Sequence, residues 1–271
     1  MKAVLSIAGS DSSGGAGIQA DIKTISAFGL FGETAITALT AQNTLGVEGV
    51  LEATPEFVAQ QIDMVFKDIP PAAVKIGMVS SPAIIEAIAG RLSEHQAQNV
   101  VVDPVMVATS GSRLIATEAV DALVGRLFPL ARVITPNLPE AEVLSGMAIS
   151  DDESMLQAGR HILSRLTRQG ERAVLVKGGH GTDAADDLLV CSDGSFRWFR
   201  ASRIATDNTH GTGCTLSSAI ACGLAMGKPL DQAVGDAKAY VRGALSAGLD
   251  LGRGAGPLDH MWRFRSELGV L

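Results

Sequence analysis

No apolar run in the chain approaches the roughly 20 residues that a membrane-spanning helix needs. The first hydrophobic stretch, AVLSIA at 3 to 8, is shorter than the core of a secretory signal and lacks a cleavage pattern, so the expected location is cytoplasmic. Cysteine is scarce. Cys191, Cys214 and Cys222 show neither the even count of a disulfide framework nor C-x-x-C metal spacing, and they read as reduced thiols. Positive charge is in deficit as well. A formal net charge of −7 argues against nucleic acid or an anionic membrane as a general partner and leaves a small molecule. The chain has no linker, low-complexity tract or short-period repeat, and without G-x-x-x-x-G-K-[ST] it is not a P-loop enzyme.

What is present is enough for a sizeable core: 271 residues, 46% of them hydrophobic and 19% charged, read as one domain over 1–271. Short β-prone runs, AVLSIA (3–8), TAITALTA (34–41), AAVKIG (72–77), NVVVDPV (99–105), ARVIT (131–135) and RAVLVKG (172–178), alternate with segments of helical period. Ile18, Ile22 and Ile25 mark one helical stripe, Val58, Ile62, Val65 and Phe66 a second, and Ala158, Ile162, Leu163 and Leu166 a third. This alternation predicts an α/β fold with a mainly parallel sheet covered on both faces. LLVCSDGSFRWF, with Asp193-Gly194 between two strand-like runs, predicts an antiparallel hairpin near one edge.

The strands run in turn into GSDSSGGAG, QNT, GM, DP, TPNLPE and KGGH, and in open parallel sheets such loops share one crevice. Gly15, Gly17 and Ala20 fit G-x-G-x-x-G/A, but these glycines start well past the strand and the next strand ends in Gln42-Asn43 rather than an acid, which opposes a dinucleotide site. An anion cradle is offered by THGTGCT, where Gly211 and Gly213 precede an apolar helix whose first amides have no partner within it. Lys177, Gly178 and Gly179 add a cation and further amides suited to nucleotide phosphates; a surface lysine beside a simple turn is the bland alternative. Asp103 ends a VVV strand and must meet water, a cation or a hydrogen-bond network. With Glu140 it offers hydrated Mg²⁺ two carboxylates, although Glu140 after Pro139 also suits a helix N-terminus. Cys214 stands at the start of the helix after the glycine turn, which predicts a lowered pKa and a thiolate able to take a proton from a substrate hydroxyl. Cys222, within that helix, and Cys191, in a strand, read as structural.

In order along the chain, GSDSSGGAGIQADIKT, TALTAQNT, KIGM, VVDPVM, TPNLPEAE, VKGGH, NTHGTGCT and GAGPLDH resemble the hydroxymethylpyrimidine and hydroxymethylpyrimidine-phosphate kinases of thiamine biosynthesis, a branch of the ribokinase superfamily that also holds cysteine-containing pyridoxal kinases. The resemblance spans nearly the whole chain. It implies a three-layer α/β/α ribokinase-like fold, ATP and Mg²⁺ as co-reactants, a homodimer, and phosphorylation of 4-amino-5-hydroxymethyl-2-methylpyrimidine and then of its monophosphate. Pyridoxal or pyridoxine phosphorylation is the alternative. On the matching positions it implies Cys214 as the base, Gly211, Thr212 and Gly213 as the anion hole, and Lys177, Gly178, Gly179 and Asn137 toward the nucleotide. Asp103 and Glu140 fall to the metal, and Gln42, Met78, Asp21 and Gly9 to the substrate. Thr109, Ser110, Gly111 and Ser112 depart from the lysine and S-G-D that many members carry, and Ala255 stands where a histidine is common; no role is assigned to His260.

Overall fold

In the computed structural model, residues 1–106, 117–167, 169–179 and 185–265 are described; the 109–112 segment singled out above lies outside them. The chain runs β1 (Ala3–Asp11), α1 (Gly17–Ala27), β2 (Phe31–Asn43), β3 (Gly46–Glu52), α2 (Pro55–Asp68), β4 (Ala73–Ile76), α3 (Pro82–Glu94), β5 (Val100–Val102), α4 (Thr117–Ala122), β6 (Val133–Ile134), α5 (Leu138–Ser145), α6 (Asp152–Leu163), β7 (Ala173–Val176), β8 (Asp187–Cys191), β9 (Phe196–Phe199), α7 (Thr212–Ala225) and α8 (Leu230–Ser246). The strands form one nine-stranded sheet in the order β3-β2-β1-β4-β5-β6-β7-β8-β9. β2, β1, β4, β5, β6 and β7 are parallel, and β3, β8 and β9 join antiparallel at the two edges.

Alternation along the central strands sorts the core into two layers. Leu5, Ile7, Val74, Ile76, Val100, Val102 and Val174 pack with α2 to α6, while Val4, Ala73, Val101, Val133 and Leu175 pack with α1, α7 and α8. Both faces are therefore apolar, as a parallel sheet requires. Local signals set the helices: Thr54 caps α2 by accepting the Phe57 N–H with Pro55 at the first position, and Asp151 and Ser154 form a capping box on α6. The expected hairpin is β8–β9, turned at Gly194 with φ +88°.

Two expectations change in detail. The inward stripe of α1 is Ile18, Asp21 and Ile25, while Ile22 is 37% exposed. An aspartate occupies the inner face because Lys75, in the middle of β4, reaches it from the same side of the sheet. QNT does not begin a loop: β2 continues through Gln42 and Asn43, which pair with Val47 and Gly46 of β3, and Asn43 Oδ1 accepts the Leu45 and Gly46 N–H groups to make the turn. The sheet order reverses between β1 and β4, a switch point where a crevice opens beyond the carboxyl ends of the strands.

Candidate functional site

Each carboxyl end delivers one piece of the site. Beyond β5, Asp103 is 1% exposed, and its Oδ1 accepts from Thr135 Oγ1 at 3.0 Å and Lys177 Nζ at 2.9 Å. Its Oδ2 accepts from Ser217 Oγ at 3.3 Å, so the network expected for an acid at this strand end is made of protein groups. Lys177 follows β7 and its side chain is only 14% exposed, which rules out a freely solvated lysine. Burial would lower its pKa, but Asp103 and Glu140 outweigh that and raise it, keeping the ammonium charged.

Asn137 and Glu140 form a capping box. Asn137 Oδ1 accepts the Glu140 N–H and Glu140 Oε2 accepts the Asn137 N–H, both at 2.9 Å, while Glu140 Oε1 accepts the Met106 N–H at 3.3 Å. The helix-terminus reading of Glu140 is thus correct for its geometry. Burial raises its pKa, Lys177 opposes this and Asp103 adds to it. Two carboxylates close enough for Asp103 to raise the pKa of Glu140 suit a hydrated divalent cation, which takes only one or two protein carboxylates. Among the described residues no group of three or more His, Cys, Asp or Glu forms a complete metal cage.

Gly211 opens α7 at φ +84°, and a Cβ there would lie 1.9 Å from the Gly15 carbonyl oxygen, so only glycine allows the two loops to touch. A Cβ on Gly213 would sit 3.3 Å from Asp103 Oδ2 and 3.4 Å from Lys177 Nζ, which brings the glycine turn to the lysine. Thr212 Oγ1 donates to Thr209 O at 2.7 Å. Gly178 donates its N–H to Asp187 Oδ1 at 3.1 Å, and Gly179 is exposed beside it.

Cys214 is half-buried at the first turn of α7. Its acidity is a correction: burial pushes the thiol up to about 11, with Asp21 and Asp103 adding to the rise, against the charge of Lys75 and a hydrogen bond from the Gly17 N–H. Desolvation outweighs the two helix starts that meet at the sulfur, so the resting group is a thiol, not the thiolate expected from sequence. Cys222 is buried within α7 and Cys191 is half-buried on β8, as expected of structural residues.

The pieces assigned to the substrate gather at β1, β2 and β4. A Cβ on Gly9 would lie 2.4 Å from Met78 Cε, so these two are in contact. Gln42 is clamped through its backbone, its N–H donating to Ser12 Oγ at 2.9 Å while Ser12 Oγ donates to Gln42 O at 2.8 Å. Asp21 differs: it is fully buried, with Lys75, Ser6 and Ser218 on its two oxygens, and it lies beneath the site rather than in it. Sequence reasoning missed Lys75 and His210. A lysine inside a short apolar strand was the available signal for the first, and a histidine within the glycine turn for the second. His260 is also buried; burial and the charge of Lys23 push it down to about 4, and it pairs with Thr215 at 2.9 Å. A separate concavity lined by Arg160, Leu166, Arg172, Val190 and Cys191 contains none of the residues assigned to substrate, nucleotide or metal.

A small-molecule kinase of ribokinase-like fold accounts for this combination of sheet order, anion-cradling helix start and strand-end lysine. Residues 11–259 match the family model for phosphomethylpyrimidine kinase, and the chain belongs to that family. It is 53% identical over 264 residues to the hydroxymethylpyrimidine/phosphomethylpyrimidine kinase of Rhizobium meliloti, covering 96% of this chain and 97% of that protein. It is also 53% identical over 259 residues to the thiamine biosynthesis bifunctional protein ThiED of Geobacter sulfurreducens; the match takes in 95% of this chain but only 52%, about half, of that longer protein. Among solved structures, the pyridoxal kinase from Staphylococcus aureus in complex with ADP superposes with a TM-score of 0.88 at 35% identity, over 98% of this chain and 95% of the other. No described helix is long and apolar enough to cross a membrane.

Proposed function

We propose that the chain, acting as one kinase domain in the cytoplasm, transfers the γ-phosphate of ATP to 4-amino-5-hydroxymethyl-2-methylpyrimidine and then to the resulting monophosphate, a step of thiamine biosynthesis. The observation that carries this reading is Cys214, part-exposed at the start of α7 within the turn that abuts Asp103 and Lys177. A thiol near 11 keeps its proton at neutral pH, so Cys214 first releases that proton to solvent, and the thiolate so formed is a strong enough base to take the proton of the alcohol as the oxygen attacks. The amides of Gly211, Thr212 and Gly213 and the positive end of α7 face the transferring phosphoryl group, and Lys177 reaches the nucleotide phosphates from its seat on Asp103. Asn137, Gly178 and Gly179 line the nucleotide side. Mg²⁺, held by Asp103 and Glu140 directly or through water, neutralises phosphate charge when bound.

On the substrate side Gln42 reads the aminopyrimidine edge, since a carboxamide both donates to a ring nitrogen and accepts from an exocyclic amine. Met78 packs against the ring, Gly9 leaves room for it, and Asp21 acts from below through Lys75. Pyridoxal phosphorylation is a second reading, supported by the superposition on the Staphylococcus kinase. The protein is proposed to work as a homodimer: Leu39, Val50 and Leu51 are 50%, 51% and 69% exposed on the β2–β3 edge, an apolar margin that a second copy would cover.

The deciding experiment is ADP release measured in parallel with the hydroxymethylpyrimidine, its monophosphate and pyridoxal. The expected ranking places both pyrimidines far above pyridoxal in kcat/KM; the reverse ranking replaces the first reading by the second.

A further inference from the structure

His210 lies in the turn before α7 and is 5% exposed, with Nε2 at 2.8 Å from Asp11 Oδ2. Asp11 also accepts the Ser13 N–H and hydroxyl on Oδ1 and the Gly15 and Ala16 N–H groups on Oδ2. Burial works to raise its pKa, but the bonds from His210, Ser13 and Ala16 hold it down to about 2, so at neutral pH it is only an acceptor. The imidazole nitrogen facing it must therefore carry the hydrogen.

That same Nε2 is 3.4 Å from one end of the Gln42 carboxamide, and the other end is 3.1 Å from Thr40 Oγ1. The Thr40 hydroxyl has one hydrogen and a second acceptor, the Ser10 carbonyl at 3.0 Å, where the β1–β2 register shifts. The two ends of a carboxamide are nearly the same size, so hydrogens decide which is which. With Nε2 at the histidine and Oε1 at the threonine, two N–H groups meet at one end. At the other, the carbonyl oxygen competes with Ser10 for a single hydroxyl hydrogen. With the ends exchanged, the His210 N–H is shared by Asp11 and the Gln42 oxygen, and the Gln42 NH₂ donates to Thr40, whose hydrogen goes to Ser10. Every one of these contacts then joins a donor to an acceptor, and one N–H of the Gln42 NH₂ is left over.

We propose that His210 and Thr40 are positioning residues that hold the Gln42 carboxamide in a single orientation, carbonyl oxygen toward His210 and NH₂ toward Thr40. This rests on the reading of Gln42 as the group that meets the aminopyrimidine. Ser12 fixes the Gln42 backbone, and these two contacts hold the side chain and decide the amide flip. One N–H and one oxygen lone pair are left over in a set order. That order suits a ring nitrogen beside an exocyclic amine and opposes the 4-oxo analogue, in which ring N–H and oxygen exchange the donor and acceptor roles.

The test is the ratio of kcat/KM for the 4-amino substrate to that for its 4-oxo analogue. Thr40→Val keeps the volume and removes the hydroxyl; it is expected to lower the ratio by about tenfold, the scale of one hydrogen bond. Thr40→Ser is expected to restore it, which mere damage to the strand would not produce. Gln42→Met is expected to collapse the ratio further. Spectra of protein carrying ¹⁵N-histidine, with the His210 signals identified by their loss in His210→Gln, are expected to show a protonated Nε2. A Thr40→Val ratio equal to wild type while Gln42→Met collapses it overturns the positioning and leaves the Gln42 reading standing. A Gln42→Met ratio equal to wild type overturns both, and an unprotonated Nε2 overturns the proposed orientation directly.

Discussion

Lys75 and Lys177 make the same kind of contact in two different places. Each bonds to an aspartate, Asp21 at 2.7 Å and Asp103 at 2.9 Å, and the charge of each acts on the Cys214 thiol. Lys75 is the third residue of β4 and fully buried; Lys177 stands just past β7 with 14% of its side chain exposed. In the middle of a strand both ends of the ion pair are enclosed, and Ser6 and Ser218 complete the bonding of Asp21. At a strand end the pair opens on the crevice. The same chemistry thus gives a closed pair in the core and a part-exposed pair whose cation, in the function proposed above, meets a phosphate.

The largest expected effect comes from breaking the closed pair. Lys75→Met leaves Asp21 charged and unpaired in the core and is expected to cost about 3 to 5 kcal/mol in denaturant unfolding, while Lys75→Met combined with Asp21→Asn recovers most of the loss. A single variant within about 1 kcal/mol of wild type counts against a closed pair.

Next comes the group both lysines face. Cys214→Ala is expected to lower kcat on the alcohol by about 10²-fold, near 2.7 kcal/mol, with little change in ATP affinity. The monophosphate already presents ionised oxygens, its second pKa being about 6, so the second phosphorylation is expected to lose far less. Equal losses on both substrates would assign Cys214 a role other than proton acceptance. Opening the second pair has a smaller effect. Lys177→Ala is expected to reduce kcat by about tenfold and raise the ATP KM, with a melting temperature close to wild type because Thr135 and Ser217 still bond Asp103 and the shortened side chain lets water in to it. Unchanged kinetics would make Lys177 structural like Lys75.

Glu33 sharpens the comparison from the other side, as a buried carboxyl on which burial alone acts. Its Oε2 has no partner, and burial pushes it up to about 7 from 4.5. Between those values the folded chain holds a proton that the unfolded chain has released, so stability falls as pH rises from 4.5 to about 7 and stays reduced above. Glu33→Gln is expected to stabilise the protein at pH 8 by about 1 to 2 kcal/mol and to do little at pH 4, read from unfolding curves at the two values.

The strand-end motifs were legible in the sequence because polar residues directly after apolar runs have few structural uses. Asp103 and Lys177 were found this way, and the glycine turn before Cys214 announced a helix start. Lys75 was not legible: within AVKI it looks like one polar residue of an alternating strand, and its partner lies 54 residues away on α1. Glu140 was legible twice over, as a metal ligand implied by the resemblance and as a carboxylate at a helix N-terminus, and the second, completed by Asn137 into a capping box, is the geometry it adopts.

By itself the sequence determined the six parallel strands, the β8–β9 hairpin and helices α1, α2, α6 and α7, that the sheet is mainly parallel, and which loops bring glycine, lysine and cysteine to one end of it. These follow from periodicity and turn chemistry, properties of neighbours along the chain. Only the tertiary structure decided the acidity of Cys214, the enclosure of Asp21 and the hold on Gln42. A helix start lowers a thiol's pKa by a local field, but the desolvation that raises it to about 11 depends on every group packed around the sulfur. Gln42 and His210 are 168 residues apart, and no pattern of near neighbours reports which hydrogens such a pair must share.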